Sequence, residues 1–288
     1  MPELPEVETI RRQLEHELVG VLISRVTVRL PKIIRGSAVR FARLVRGKRI
    51  LSIKRRGKYL YWVLQGGQSI MLHLKMTGQL IYRRGRTMRV GGHPIPRGTD
   101  GLPNRYTHVV FQFSNGGTVY FNDLRQFGFL ELLPTPSIDQ YFKKIAMGPE
   151  PLLSDFTLDY FDGLLKRRPG TTIKQLLLDQ TAIAGIGNIY AIESLFRAHI
   201  KPMRRVKTIT QAEATALYQS IKVILRRAVA AQGSSADRYV DAYGEPGKYF
   251  PRLQMYGRAG QSCHRCGTII RGLKIGGRGT TYCPQCQR

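Results

Sequence analysis

Apolar residues change their spacing along the chain, and each change predicts a different kind of element. Val7, Ile10, Leu14 and Leu18 recur at helical spacing, which predicts a helix from Pro5 to Val19. Pro5 suits the first helical position, and Glu6 and Glu8 suit the first turn. From Val21 to Leu133 the pattern is β. Ile23–Val28 alternates, and Arg49–Ile53 and Tyr59–Leu64 are rich in strand formers. Gln65-Gly66-Gly67-Gln68 reads as a hairpin turn with Ser69–Leu74 returning, and Tyr106–Phe113 returns as Thr118–Phe121 through Ser114-Asn115-Gly116-Gly117. Short strands with regular turns predict a sandwich or barrel. Arg83–Arg105, rich in Gly, Pro and Arg, reads as a long surface loop.

Leu133–Ser154 holds Pro134, Pro136, Pro149 and Pro151 and reads as a linker. Helical spacing follows. Thr172–Asp179 predicts one helix, Ala184-Gly185-Ile186-Gly187-Asn188 a tight turn, and Ile189–Arg197 another helix. Thr210-Gln211-Ala212-Glu213 is a capping box that opens a long helix to Ala231. Gln232–Pro251 reads as a loop. The expected organisation is an α+β multidomain chain: a β-sandwich with flanking helices at 1–134, a linker at 135–155, a helical domain at 156–255 and a finger at 256–288.

Charge narrows the range of partners. The 288 residues carry 46 Lys+Arg against 19 Asp+Glu, a net +27. Residues 1–134 contribute 23 basic and 8 acidic residues (+15), and residues 135–288 contribute 23 and 11 (+12). The excess is therefore not a basic tail. Both halves suit a polyanion, nucleic acid first, held in a cleft between them, although a generally basic surface would give the same count. No apolar run approaches the length of a membrane span and there is no signal peptide, so an intracellular protein is expected.

Within this basic chain, five acids (Glu3, Glu6, Glu8, Glu15 and Glu17) fall in the first 17 residues. Removal of Met1 before the small residue Pro2 would leave a free secondary amine. An α-amino group titrates near pH 8, and the positive end of a helix starting at Pro5 would lower that further. Such an amine beside a carboxylic acid can form a Schiff base, whereas an ordinary first residue simply frays. At the other end, all four cysteines lie in Cys263-x2-Cys266-x16-Cys283-x2-Cys286, the spacing of one structural zinc ion. Two disulfides are the rival, disfavoured in an intracellular chain. Four thiolates leave no open position, so no catalytic zinc is implied; His264 reads as a surface residue. Lys54-Arg55-Arg56-Gly57-Lys58 could be a solvated turn, Met76 a core residue, and the glycine turn before Asn188 a simple helix connection.

The opening MPELPEVETIRRQL resembles that of the bacterial formamidopyrimidine-DNA glycosylases (the Fpg/Nei family), and the likeness runs almost end to end. It implies a helix–two-turn–helix domain ahead of a four-cysteine zinc finger, and base-excision repair of oxidised purines (8-oxoguanine, formamidopyrimidines) in duplex DNA, with lyase activity at abasic sites. In that family Pro2 matches the Schiff-base nucleophile, Glu3 the general acid that opens the sugar, and Lys58 a cleft lysine that helps bind phosphate and eliminate. Met76 matches the residue that fills the space of the flipped base. Asn122–Gly128 resembles the family's D-P-R-R-F-G, so Arg125 would pair with the orphaned base and Phe127 wedge into the stack. Leu124 and Gln126 depart from that motif, which puts one phosphate contact in doubt. Tyr106 stands where relatives often carry a DNA-binding histidine. Asn188 matches the asparagine that binds phosphates flanking the lesion; Arg168 and Lys174 lie near family DNA contacts. Arg278 matches the finger arginine that binds phosphate and assists the second elimination. The 232–251 loop matches a region that folds over the everted base. The resemblance further implies a monomer in the bacterial cytoplasm, associated with the nucleoid. A Nei-type glycosylase for oxidised pyrimidines and a non-catalytic zinc-bearing DNA-binding protein are the rivals; Leu4 and the ELPEVET run favour the Fpg type, and Pro2, Glu3 and Lys58 together argue for catalysis.

Overall fold

A computed structural model describes residues 1–92, 101–234 and 248–288. They fall into two compact units. The first holds Met1–Lys144 and the described part of Ala231–Lys248; the second holds Ile145–Ala230 and Tyr249–Arg288.

The first unit opens with helix α1, Leu4–Leu18. Its strands are β1 (Ile23–Val28), β2 (Ile34–Arg35), β3 (Ile50–Arg56), β4 (Tyr59–Leu64), β5 (Gln68–His73), β6 (Gly78–Arg84), β7 (Thr87–Gly92), β8 (Thr107–Phe113), β9 (Thr118–Asp123) and β10 (Phe129–Pro134). They build two five-stranded sheets, ordered β1-β8-β9-β6-β7 and β2-β10-β5-β4-β3. Alternation along β4 sends Leu60, Trp62 and Leu64 inward, where they meet Phe111 and Phe121 of the other sheet in one core. The Trp62 and Phe111 rings lie 5.2 Å apart. Burying each such side chain contributes roughly 1.5–3 kcal/mol, so the facing sheets are the unit's main source of stability. Helix α2 (Ala38–Val45) is capped by Ser37, whose Oγ accepts the Arg40 N–H at 3.2 Å, and it buries Phe41 and Val45 in the same core.

Two stretches differ from the sequence reading. Arg83–Arg105 is not all loop: β6 and β7 pair as an antiparallel hairpin from Gln79–Gly92 to Arg84–Thr87. Glycines hid this strand from propensity, yet they are what it needs. A Cβ on Gly91 would lie 2.5 Å from Ile10 Cγ1, so α1 rests directly on a strand that only glycine lets it approach. Residues 93–100 of that stretch lie outside the described residues, as do 235–247 of the 232–251 loop. In the stretch expected as a linker, Ile138–Lys144 forms helix α3, whose Phe142 ring lies 5.7 Å from that of Tyr59.

The second unit contains α4 (Leu158–Arg167), α5 (Ile173–Leu178), α6 (Asn188–Arg197) and α7 (Gln211–Ala230), then the hairpin β11 (Arg271–Ile275) and β12 (Arg278–Tyr282). Thr172 caps α5 by accepting the Gln175 N–H at 3.3 Å. The capping box at α7 is formed in both directions: Glu213 accepts the Thr210 N–H at 2.9 Å, and Thr210 accepts that of Glu213 at 3.3 Å. The Gln180 side chain locks the turn into α6, donating to Ile186 O at 2.8 Å and accepting from Gly185 N at 2.9 Å. Among the described residues no helix is long and apolar enough to cross a membrane.

Candidate functional site

Pro2 and Glu3 lie buried at the start of α1, with Glu3 as the N-cap. The helix's unpaired N–H groups and its dipole make this a place that favours an anion. Glu6, one turn in and 2% exposed, fixes the segment: its Oε2 accepts the Glu3 N–H at 2.9 Å. Its Oε1 accepts the Ser234 N–H at 2.8 Å. Gly233, next to Ser234, has a left-handed backbone (φ +85), and a Cβ there would meet Glu6 Oε1 at 2.9 Å. The Glu3-x-x-Glu6 spacing was the available sign of this capping role; the tie to Ser234 had none.

Lys58 is buried in the turn between β3 and β4. Its charge reaches His73, at the end of β5. Burial first, then Lys75, Lys58 and Arg35, push the His73 imidazole well below its ordinary pKa, so it is neutral. His73 Nδ1 accepts the Lys75 N–H at 2.8 Å, leaving the proton on Nε2. The Tyr59 ring meets it edge-on at 4.5 Å.

Met76, Arg125 and Phe127 are brought together, on two loops at one end of β6 and β9. Asp123, fully buried, is the common anchor. Its Oδ1 accepts the Thr77 hydroxyl at 2.5 Å and the Arg125 N–H at 3.2 Å, and its Oδ2 accepts the Gly128 N–H at 2.7 Å. Thr77 Oγ1 also accepts the Arg125 N–H at 2.9 Å, so the Met76 loop and the Arg125 loop are stapled to each other. The result is a rigid base under exposed tips: Phe127 is 53% exposed and the Arg125 guanidinium lies 4.7 Å over its ring. Gln126, between them, adopts φ +58. Tyr106 is half-buried beside this anchor, its carbonyl accepting the Asp123 N–H at 3.0 Å. Thr77 and Asp123 were not singled out in the sequence, because a Thr and an Asp in turns carry no long-range signal.

In the second unit Asn188, Lys174 and Arg278 also converge. Asn188 begins α6 and its Nδ2 donates to Gly279 O at 2.9 Å. Lys174 is 0% exposed, and its ammonium donates to Thr280 Oγ1 at 2.5 Å and Gly279 O at 3.4 Å. It faces the β11–β12 hairpin. Together they seat β12, leaving Arg278 exposed just after the Gly276-Gly277 tip. Arg168 stands apart from this group, half-exposed at the end of α4, its guanidinium 3.9 Å from Asp179.

The four cysteine sulfurs lie within 4.8 Å of one another, Cys263–Cys286 at 4.0 Å and Cys266–Cys283 at 3.5 Å. All four are free thiols, so the disulfide alternative does not hold. Ligands about 2.3 Å from one centre at tetrahedral angles would be about 3.8 Å apart, so the set fits one zinc ion. The Cys286 N–H, donating to Cys283 Sγ at 3.3 Å, suits a thiolate there.

Three family models match the chain: the formamidopyrimidine-DNA glycosylase N-terminal domain over residues 1–130, the formamidopyrimidine-DNA glycosylase H2TH domain over 147–239, and a zinc finger found in FPG and IleRS over 260–288. A formamidopyrimidine-DNA glycosylase of Pelotomaculum thermopropionicum is 43% identical over 289 residues, covering 100% of this chain and 99% of that one. One from Streptococcus pneumoniae is 41% identical over 288 residues, with 100% and 99% covered. Among solved structures, the Lactococcus lactis Fpg in complex with DNA containing an abasic site superposes with a TM-score of 0.88 at 35% identity, 99% of each chain being covered. A variant of the same protein with DNA containing Fapy-dG gives 0.89 at 35% identity, with 100% of each covered. With the three models in the order of its own domains and relatives alike along their full length, the chain belongs to the formamidopyrimidine-DNA glycosylase family.

Proposed function

We propose that the chain excises oxidised purines from duplex DNA through a Schiff base at Pro2 and then cuts the strand by successive elimination. Family membership carries the DNA glycosylase activity. The observation that supports these residue roles is the burial of Pro2 and Glu3 together at the positive end of α1, with Glu6 holding the Glu3 amide.

Once Met1 is removed, the Pro2 nitrogen attacks the sugar C1′. The C1′–N9 bond breaks and the base departs with the electron pair, taking up a proton. Glu3 donates its proton to O4′ as C1′–O4′ opens, which leaves an iminium on Pro2. The iminium acidifies the C2′ proton; its loss expels the 3′ phosphate, and a second elimination expels the 5′ phosphate. Buried Lys58 supplies a cation for the phosphate and Arg278 a second one at the finger tip. Extruding a base costs a few kcal/mol, and Met76, Arg125 and Phe127 offset it by filling the gap from their stapled loops. Asn188 and Arg168 bind backbone phosphate, Tyr106 adds a DNA contact beside the Asp123 anchor, and Lys174 acts by seating the finger. Cys263, Cys266, Cys283 and Cys286 hold one zinc ion, which stabilises the finger and takes no part in a step. The protein works as a monomer on nucleoid DNA in the bacterial cytoplasm.

The test is borohydride trapping on a duplex with one 8-oxoguanine opposite cytosine, beside an oxidised-pyrimidine duplex. The Lactococcus lactis protein has been seen with both an N7-benzyl-Fapy-dG and an oxidised-pyrimidine DNA, so both arms are informative. An adduct mapping to Pro2 and stronger on the oxopurine is expected. Pro2→Gly and Glu3→Gln should bind the duplex within a few fold of the parent yet incise it at least ~100-fold more slowly. A stronger adduct on the pyrimidine would move the chain to the Nei type. Tight binding without any adduct, by protein shown to lack Met1, would sink the catalytic reading.

A further inference from the structure

The repair chemistry uses the N-terminal end of α6. A cavity of about 490 Å³ lies at the other end, about 15 Å away along a ten-residue helix. Phe196 and Arg197 of α6, Ile224 and Arg227 of α7, Tyr249, Arg252 and Gln254, and His264 and Arg265 of the finger line it. Its floor is apolar and buried: Phe196, Ile224 and Tyr249. Its rim is four exposed arginines, Arg197, Arg227, Arg252 and Arg265. Among the described residues no carboxylate forms an ion pair with any of the four. The one acid in the wall, Glu193, is turned to other use: its oxygens accept the Gln254, Met255 and Tyr256 N–H groups at 3.0, 2.9 and 2.9 Å. Arg265 is held with its guanidinium 4.6 Å over the Phe196 ring.

Four exposed like charges around one cavity make a positive field that draws an anion, and Arg265 is also oriented by donating to His199 Nε2 at 2.8 Å. Guanidinium forks match phosphate oxygens in pairs, so four exceed the need of a single phosphate. The volume is that of a small-molecule pocket with an apolar floor and a few polar groups at its mouth. A DNA backbone would engage the arginines alone, whereas the buried Phe196, Ile224 and Tyr249 floor offers a nucleoside an apolar face.

We propose that this cavity is a second binding site, for a nucleoside phosphate: phosphates on the Arg197, Arg227, Arg252 and Arg265 rim, the nucleoside against the Phe196, Ile224 and Tyr249 floor. The site is separate from the residues assigned to the lesion, and its ligand is a mononucleotide rather than a duplex.

ADP is the probe, titrated into the full-length zinc-loaded protein with inorganic phosphate and a polyglutamate peptide as competitors. One saturable site is expected. The Arg227→Ala, Arg252→Ala double variant should weaken it at least ~10-fold, through loss of charge-assisted hydrogen bonds. Incision of a lesion duplex by that variant should stay at the parent rate, which separates this test from that of the repair reading. ADP binding unchanged in the double variant but displaced by lesion duplex would overturn the proposal, by placing the nucleotide on the DNA-contacting residues. So would the absence of saturable binding, or equal competition by inorganic phosphate. Displacement of ADP by the peptide at lower concentration than by unlabelled ADP would also overturn it, in favour of an acidic protein partner.

Discussion

Glu8 lies on the flank of α1, and in an isolated helix its pairs with Arg11 and Arg12 would be worth a few tenths of a kcal/mol each. In the fold a third cation comes from β3: Arg55 Nε meets Glu8 at 3.0 Å, beside Arg11 at 3.0 Å and Arg12 at 2.8 Å. Burial alone would raise the Glu8 pKa, but hydrogen bonds from Arg11, Arg12 and Arg55 overcome it and bring it from 4.5 down to about 2. The unfolded chain therefore takes a proton near pH 4.5 that the folded chain refuses until about pH 2. Stability from this group is complete above pH 4.5 and is lost as pH falls from there toward 2. Glu8→Gln should cost about 1–3 kcal/mol at pH 7, since it removes the anion beside a largely buried Arg55. Urea unfolding of both proteins at pH 7, 4.5 and 3 checks the sign: the gap should narrow steadily with acid, and a constant gap would mean the loss is packing rather than charge.

At the scale of elements, β7 and the finger each make a prediction. Gly91→Val would push a β-branched side chain into Ile10, whose Cγ1 already lies 2.5 Å from where a Cβ would stand. Overpacking of this sort costs typically about 1–3 kcal/mol, and pairing it with Ile10→Ala should recover part of the loss. If the two urea midpoints simply add, α1 does not rest on β7 as described. Lys174→Met keeps the length of the side chain but removes the bonds to Thr280 and Gly279. Because Asn188 still holds Gly279, the finger should stay folded with its zinc, while incision falls by roughly 10-fold as Arg278 is less well placed. Loss of duplex affinity with a normal cleavage rate would instead make Lys174 a DNA contact. Much of this architecture was legible in the sequence. Alternation announced β1, strand-forming residues β4, the Ser114–Gly117 turn the β8–β9 hairpin, and Thr210–Glu213 α7. What was not legible was short or held from afar: β2 has two residues, α2 and α3 have eight and seven, and β7 is a strand with glycines where propensity asks for branched side chains. The site divides the same way. The cysteines could be read locally and Pro2 and Glu3 only as candidates, but the partners that hold these segments, Glu6 with Ser234 and Thr77 with Asp123, are separated by 228 and 46 positions and leave no local pattern.

At the scale of the whole molecule, the net charge of +27 and its even division between the halves set the binding thermodynamics. Most contacts to a duplex are with phosphate, and each one releases condensed counterions, so affinity should fall steeply with salt. With about six to ten such contacts, raising salt from about 50 to 200 mM should cost roughly 10³–10⁵ in affinity for lesion and undamaged duplex alike. On the proposed roles, in which Met76 and Phe127 fill space and Arg125 meets the orphaned base, discrimination acts at one base step and the ratio between the two should hardly move. Gln126 offers a calibration within the same motif. It is an exposed, uncharged residue between Arg125 and Phe127, on a loop fixed by Asp123. Gln126→Arg adds one cation without touching that anchor, and its left-handed backbone (φ +58) suits arginine no worse than glutamine. The salt slope should steepen by about one and affinity rise for every duplex, with the lesion preference unchanged. A variant that gained preference for the lesion at constant slope would place residue 126 against the base rather than the phosphate, and the departure at Gln126 would then bear on lesion choice instead of binding strength.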